Sequence, residues 1–313
     1  MPPPAGRARG RVRARAAAAA APRAPQRGLV ADGRAFRETF RVRGREVDAR
    51  TQRLRPAELN AMFQEVAVGH AAALWGAEPG RMPADPLMRE LGLAFVLAKI
   101  QLRFGRLPGY GEEVQVETWF HPAGKAGARR DFAAVDPRTG ATLGAGTSTW
   151  LLFNLNTRRL ARIPKEMLAT FDDHSPAEER FALEEMAGGA AGPPPKEAKF
   201  PAFKGPPQFT GPAVRAAIAD LDATEHVNNL VYMDWMLAAL PEARARGEAL
   251  VGMEIEYRNE VRLGDGLESL ASEISEAGEA GADAGVRTYL HSLRRQDGAE
   301  VTRARSRWAA VPA

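Results

Sequence analysis

The sequence predicts an α+β fold built from two tandem copies of one unit, in which a curved antiparallel sheet wraps around a long helix. The order of predicted elements repeats along the chain, the predicted strands alternate with period two, and the second long helix is apolar on every side. With 313 residues, of which 45% are hydrophobic, the chain is long enough for two domains of about 150 residues. A helix without a polar face has to be covered all round, and a curved sheet can cover it.

Residues 1–31 are expected to form a leader outside the fold, namely a transit peptide for an organelle or else a disordered basic tail. This leader holds seven of the 43 basic residues and none of the 39 acidic ones, so the rest of the chain is mildly acidic. The net charge of +4 therefore does not indicate a nucleic-acid partner. No apolar run reaches the roughly 18 residues that an integral membrane segment needs. Because cysteine is absent, disulfides, thiolate metal sites and a cysteine nucleophile are excluded, and no metal or other cofactor is expected.

The N-terminal unit is predicted over residues 34–163. Pro56 suits the first position of a helix, and Gly76 suits its end. Between them, apolar residues recur at a spacing of three to four. Alternating strands follow near 98–104 and 114–120, and a further strand runs through 147–153.

The C-terminal unit is predicted over residues 212–310 and repeats this order. A helix is expected over His226–Leu240, and Pro241 stops it. Four strands are expected near 254–258, 267–273, 286–294 and 301–308. Short echoes of the first unit recur 155 to 158 residues later, such as Ser148-Thr-Trp150 and Ser306-Arg-Trp308. Two helices, each wrapped by its own sheet, define a double hotdog, and residues 164–211 are expected to link the units with one short helix near Ala177–Met186.

Polar side chains precede the second helix in Asp220-Leu-Asp-Ala-Thr-Glu-His-Val-Asn-Asn229. One interpretation is that Asp222 or Thr224 caps the helix and that His226 is an ordinary polar residue. The functional interpretation is that the helix N-terminus stabilises an oxyanion while an acid and His226 activate a water molecule. Glu260, on the strand after this helix, is a second candidate, or else a surface carboxylate. The first helix has no matching cluster, so one active site is expected, in the C-terminal half.

Five runs resemble the plant- and alga-type fatty acyl-ACP thioesterases, where ACP is acyl carrier protein. They are Met62-Phe-Gln-Glu-Val66, Gly124-Lys-Ala-Gly-Ala-Arg-Arg-Asp131, Asn156-Thr-Arg-Arg159, Asp222 to Asn229, and Ile255-Glu-Tyr-Arg258. The resemblance implies a double-hotdog hydrolase that releases free fatty acid from acyl-ACP in the plastid stroma.

The resemblance also implies which residues form the catalytic site. The family has Asp-x-Asn-x-His at this helix and a Glu beside a Cys on the next strand, so Asp222, His226 and Glu260 match. Thr224 stands where the family has Asn, and Val261 stands where it has Cys. Without that Cys no thiol mechanism is available, whereas a water mechanism is.

Substrate contacts are expected in both units of the chain. The family resemblance places the acyl chain in the N-terminal hotdog, where Met62, Val66, Leu97 and Trp119 are candidates either for lining the pocket or for packing the core. Because ACP is acidic, its docking is expected to use basic side chains, for which the candidates are Lys125, Arg129, Arg130, Arg158 and Arg159. Two alternatives stay open: a non-hydrolytic acyl-ACP or acyl-lipid binding protein, and an acyl-CoA thioesterase. Homodimer formation is also left open.

Overall fold

The computed structural model describes residues 27–188, 200–203, 205–240, 247–274 and 285–310. Within these ranges thirteen strands form one antiparallel sheet, and five α-helices accompany it. The helices are α1 (Pro56–Trp75), α2 (Pro86–Glu90), α3 (Lys165–His174), α4 (Ala182–Met186) and α5 (Asn229–Leu237). The strands are β1 (Arg27–Val30), β2 (Ala35–Arg41), β3 (Leu93–Phe104), β4 (Glu113–Ala123), β5 (Gly127–Val135), β6 (Thr142–Asn154), β7 (Arg159–Leu160), β8 (Phe209–Thr210), β9 (Val214–Arg215), β10 (Glu248–Tyr257), β11 (Gly266–Ile274), β12 (Val286–Arg295) and β13 (Glu300–Ala310).

The strand order makes the two halves of the sheet mirror each other. Along the sheet the order is β1-β2-β4-β5-β6-β3-β10-β13-β12-β11-β8, so the halves meet where β3 pairs with β10. At that seam Ile100 lies opposite Ile255, which are equivalent residues of the predicted repeat. The double-hotdog prediction is therefore confirmed, and an approximate two-fold axis passes between β3 and β10.

The Ser-x-Trp echo has a structural role in both units. The indole Nε1 of Trp150 donates to Ser148 Oγ at 2.8 Å, and that of Trp308 donates to Ser306 Oγ at 2.9 Å. Each Trp also lies next to a bulge in the neighbouring strand, opposite Leu97 in β3 and opposite Leu250 in β10. The repeat therefore preserves both a hydrogen bond and a local irregularity of the sheet.

The helix α1 packs closely against the concave face of the N-terminal half-sheet. Pro56 is its first residue and Gly76, at φ 85°, caps its end, as predicted. Phe63 stacks on Phe132 of β5 with ring centroids 4.9 Å apart. Gly146 of β6 allows this approach, because a Cβ atom there would lie 3.1 Å from the Phe63 ring. Burial of a side chain such as Phe63 stabilises the fold by about 1.5–3 kcal/mol.

Two expected boundaries differ from the structure. The leader was expected to run to residue 31, but Arg27–Val30 forms β1 and pairs with β2, so the folded body begins by Arg27. Residues 1–26, where the rest of the expected leader falls, lie outside the described part. The second helix begins at Asn229 rather than at His226, because Asp222 binds the backbone N–H groups of Thr224 and His226 in a loop before it.

The expected linker packs partly against the N-terminal sheet, with α3 on the same face as α1 and the segment around α4 on the opposite, outer face. It contains the short helix α4, close to the predicted one, and also α3, which the sequence did not predict. In α3, Phe171 contacts Phe120 of β4 edge-to-face at 5.5 Å. In the segment before α4, Arg180 lies 3.9 Å from the ring of Trp119. Among the described residues no helix is long and apolar enough to cross a membrane.

Candidate active site

The loop before α5 is organised by the carboxylate of Asp222. Its Oδ1 accepts hydrogen bonds from the backbone N–H of Thr224 at 2.8 Å and of His226 at 3.3 Å. The Asp222 N–H in turn donates to the carbonyl of His226 at 2.8 Å, which closes the loop. Glu225, at φ 63°, takes the left-handed conformation at the turn. Asn228 then caps α5 by accepting from Leu230 N–H, so neither Asp222 nor Thr224 is the helix cap.

Four predicted residues lie together in one continuous chain of polar contacts. Thr224 Oγ1 is 2.6 Å from Asp222 Oδ1 and 3.1 Å from His226 Nδ1, and His226 Nε2 is 3.2 Å from Glu260 Oε1. The Thr224 hydroxyl has a single hydrogen and donates it to the carboxylate of Asp222, so it accepts from Nδ1–H of His226. The structure thus brings together the side chains that the sequence analysis predicted for the site, namely Asp222, Thr224, His226 and Glu260.

The contact between His226 and Glu260 requires a proton. Because Nδ1 of the imidazole already carries one hydrogen, Nε2 either carries a second one or accepts one from the carboxyl group. The site is open to solvent, since the side chains of His226 and Glu260 are 60% and 40% exposed. The arrangement can therefore hold a mobile proton within reach of a bound substrate.

The second oxygen of Glu260 faces two guanidinium groups. Arg158 Nη2 lies 3.7 Å and Arg262 Nη2 lies 3.9 Å from Glu260 Oε2. Arg158 belongs to the turn between β6 and β7 of the N-terminal unit, whereas Arg262 belongs to the loop after β10. Both units therefore contribute to this site.

Below the site, two tyrosines anchor the start of α5. Tyr257 of β10 donates its hydroxyl to the carbonyl of Asn229 at 3.2 Å and contacts Tyr232 edge-to-face at 5.4 Å. Burial raises the pKa of Tyr232 to about 12 and raises the pKa of Tyr257 further. Both phenols therefore stay neutral and act as hydrogen-bonding and packing groups near neutral pH.

The predicted acyl-chain residues divide between the two faces of the N-terminal sheet. Met62 and Val66 of α1 are buried in the core between helix and sheet, and Leu97 is half-buried beside the bulge in β3. Trp119 instead faces outward beneath Arg180, because alternation along β4 places it opposite Thr118 and Phe120. It does not lie with the other three.

The predicted docking residues are also divided. Lys125, Arg158 and Arg159 are exposed, whereas Arg129 is only 13% exposed and pairs with Asp131 at 2.7 Å. Arg130 points into the core, where its Nη1 lies 3.2 Å from Nδ1 of the buried His70. Burial lowers the pKa of Arg130 to about 10, so it remains charged at neutral pH.

The positions of Arg129 and Arg130 do not suit docking, because neither guanidinium is free at the surface. The two side chains are on opposite faces of the sheet: Arg129 lies on the outer face, where the segment around α4 covers it, and Arg130 lies on the inner face beside His70. The sequence offered no signal that both positions would be covered.

A cavity of about 240 Å³ lies away from this site, between the segment around α4 and the outer face of the sheet. Its charged groups are engaged with one another, since Glu117 pairs with both Arg37 and Arg180. Among the described residues no group of three or more His, Asp or Glu side chains is placed to hold a metal ion.

The fold and the site define a hotdog protein with a candidate hydrolytic centre at the start of its second helix. The model of the acyl-ACP thioesterase N-terminal domain matches residues 33–171, and that of the acyl-ACP thioesterase C-terminal domain matches residues 207–310. The chain belongs to the acyl-ACP thioesterase family, as its sequence motifs predict.

Individual relatives agree with the family models. The chain is 30% identical to the oleoyl-acyl carrier protein thioesterase 1, chloroplastic, of Arabidopsis thaliana, over 91% of this chain and 78% of the relative. It is 32% identical to the palmitoyl-acyl carrier protein thioesterase, chloroplastic, of the same plant, over 90% and 65%. Among solved structures, the 12:0-ACP thioesterase from Umbellularia californica superposes with a TM-score of 0.74 at 27% identity, covering 88% of this chain and 94% of that one.

Proposed function

We propose that this protein hydrolyses the thioester of fatty acyl-ACP to free fatty acid and ACP. The observation that carries the proposal is the chain of polar contacts from Asp222 through Thr224 and His226 to Glu260. It supplies a base and an acid side by side, which thioester hydrolysis by water requires. Membership of the acyl-ACP thioesterase family supplies the substrate class.

The reaction can be written with these groups so that its atoms balance. The Glu260 carboxylate takes a proton from water while the water oxygen bonds to the acyl carbon. The carbon–sulfur bond then breaks, and the leaving sulfur takes the proton from Nε2 of the His226 imidazolium. Transfer of the proton from Glu260 to His226 across their 3.2 Å contact restores both groups. In this mechanism Asp222 and Thr224 hold the imidazole with Nδ1–H directed at the hydroxyl.

The acyl chain is assigned to the N-terminal unit. Its β6–β7 turn borders Glu260 through Arg158, and the helix α1 of that unit presents Met62 and Val66 toward the sheet. Exposed Lys125 and Arg159 are proposed to contact the acidic carrier, since exposed cations favour association with an acidic partner. Homodimer formation stays a separate proposal, which light scattering of the purified chain tests.

We place the protein in the plastid stroma, where release of the fatty acid ends chain elongation. The chloroplastic relatives support this location, and the acid-free arginine-rich composition of residues 1–31 suits a transit peptide. Import of a fluorescent protein fused behind residues 1–31 into isolated plastids tests it. A fusion that stays outside the organelle would contradict the location.

Free fatty acid release from a panel of C8–C18 acyl-ACPs tests the activity. The proposal predicts multiple turnovers on acyl-ACP and slower turnover on the acyl-CoA of equal chain length, measured in parallel. Binding of acyl-ACP without release would favour a binding protein, and faster hydrolysis of acyl-CoA would favour an acyl-CoA thioesterase. Either result would contradict the proposal.

A further inference from the structure

The turn that carries Arg158 has an unusual backbone. Arg158 lies at φ 55°, in the left-handed region that side-chain-bearing residues seldom occupy and that typically costs about 1–3 kcal/mol. The turn is fixed by Asn154, whose Oδ1 accepts from the N–H groups of Asn156 and Thr157 at 3.0 and 2.8 Å. The N–H of Leu155 also donates to Gly92. The surroundings therefore hold Arg158 in a conformation it would not adopt alone.

The consequence of this conformation is a contact between the two units. Arg158 places its guanidinium 3.7 Å from Oε2 of Glu260, a residue of the other unit. Arg262 approaches the same oxygen at 3.9 Å, while Oε1 of Glu260 faces Nε2 of His226 at 3.2 Å. One carboxylate oxygen is thus held by cations and the other is directed at the imidazole.

We propose that Arg158 is a positioning residue for hydrolysis, which the N-terminal unit contributes to the C-terminal site. It holds the carboxylate of Glu260 so that the other oxygen meets His226, and it acts through Glu260 rather than on the substrate. Because the side chains of Arg158 and Glu260 are 70% and 40% exposed, the pair is screened by solvent and its effect is moderate. This inference rests on the proposed function.

The variant Arg158→Asn separates positioning from a structural role. Asparagine accepts the left-handed conformation more readily than arginine, so the folded chain should keep or gain thermal stability. Loss of the guanidinium should nevertheless lower kcat about fivefold, the scale of an exposed ion pair. Arg158→Lys retains the charge and should recover most of the turnover. Arg138→Asn, which removes an equally exposed guanidinium from the turn between β5 and β6, is the matched control and should leave kcat unchanged.

Two substrates separate positioning from carrier docking. Arg158→Asn should lower kcat equally on acyl-ACP and on the short thioester acyl-N-acetylcysteamine, because Glu260 serves both. The double variant Arg158→Asn with Arg262→Asn should lose more turnover than either single variant. A rise in KM for acyl-ACP alone, or a fall in thermal stability that parallels the loss of kcat, would overturn the inference.

Wild-type turnover in the same assay keeps the two proposals apart. An active wild type with an unchanged Arg158→Asn variant overturns the positioning role and leaves the proposed function intact. A wild type that releases no fatty acid overturns the proposed function, and the positioning role falls with it.

Discussion

The loops that precede α1 and α5 have similar backbones but different chemistry. In the first loop the N–H of Asp48 donates to the carbonyl of Arg53 at 2.8 Å, and in the second, which is one residue shorter, the N–H of Asp222 donates to the carbonyl of His226 at 2.8 Å. Each loop follows a short 3₁₀ helix and contains one residue at positive φ, Gln52 at 55° or Glu225 at 63°. The duplication therefore copied the loop as well as the sheet.

The difference lies in the group that faces the carboxylate. Arg53 Nη1 lies 3.7 Å from Glu112 Oε2, where the second loop has His226 at 3.2 Å from Glu260. A guanidinium keeps its proton at all physiological pH values, whereas an imidazole exchanges one near neutrality. We infer that the shared loop supplies position and that the imidazole supplies the proton transfer, so only the second loop is an active site.

Replacing His226 of the second loop and Arg53 of the first loop by alanine should give the largest difference in kcat between the two loops. His226→Ala removes the proton-transferring group and should lower kcat on acyl-ACP about 1000-fold, within the range of general acid–base catalysis. Arg53→Ala removes an exposed ion pair and should change kcat less than about twofold. Steady-state fatty acid release measures both. Full turnover by His226→Ala would remove this residue from the mechanism.

The carboxylates of Asp222 and Asp48, one in each loop, should give the next largest difference in kcat. Asp222→Ala should lower kcat about 100-fold, because the backbone of the loop and the Thr224 hydroxyl lose their acceptor. Asp48→Ala removes the acceptor of Arg50 and Thr51 N–H in the first loop and should leave kcat near the wild-type value. Urea unfolding should show a similar loss of about 1 kcal/mol in both variants. A loss of turnover shared by both would mean that the first loop also serves catalysis.

The loss of folding stability at low pH gives a comparison between the interiors of the two units, because each interior contains a buried histidine. Burial lowers the pKa of His70, on the buried face of α1, to about 2, and that of His291, in β12, to about 4. Each folded-state pKa lies below the unfolded value of about 6.5, so the unfolded chain binds protons first and stability falls as the pH drops below 6.5. Each histidine should contribute a loss of about 1.4 kcal/mol per pH unit, ending near pH 4 for His291 and near pH 2 for His70.

Urea unfolding of His70→Gln at pH 7 and pH 5 measures this contribution. Glutamine stays neutral and can still accept from Arg130, so the variant should lose about 2 kcal/mol less than the wild type over this interval. An equal acid sensitivity in variant and wild type would show that His70 is not buried in its neutral form.

Among the four residues of the loop and Glu260, the hydroxyl of Thr224 should have the smallest effect on kcat. Thr224→Val keeps the shape but removes the hydrogen bonds to Asp222 and His226, so kcat should fall about tenfold. Thr224→Ser retains the hydroxyl and should retain turnover. Thr224→Asn introduces the residue that the family motif has, and it should at least match the wild type. An unaffected Thr224→Val would mean that the imidazole needs no partner at Nδ1.

The sequence predicted the units well because their patterns are regular. The alternation of apolar and polar residues along the strands and the apolar spacing of α1 follow from local backbone geometry, so the sequence alone shows them. The short echoes 155 to 158 residues apart then showed that the second half repeats the first. The start of α5 was misplaced because the side chain of Asp222 binds the backbone N–H groups of Thr224 and His226, which periodicity does not show. Helix α3 was missed inside a segment rich in turn residues.

The first loop was missed for a different reason. Its side chains differ from those of the loop before α5, and only the short match of Val47-Asp-Ala49 to Leu221-Asp-Ala223 marks it. The offset of that match is 174 residues, unlike the 155–158 of the strands, because the intervening connection differs in length. The role of Arg158 was equally hidden, since only the fold brings the β6–β7 turn to Glu260.

The central claim is that one of two similar loops carries the chemistry, and a matched pair of isosteric variants tests it most directly. Glu260→Gln and Glu112→Gln remove the same charge from the carboxylates that face the two loops, and each variant is compared with the wild type for fatty acid release from acyl-ACP. We predict a loss of about 100-fold in kcat for Glu260→Gln, at unchanged thermal stability, and wild-type turnover for Glu112→Gln. Full turnover by Glu260→Gln, or equal losses in both variants, would contradict the account.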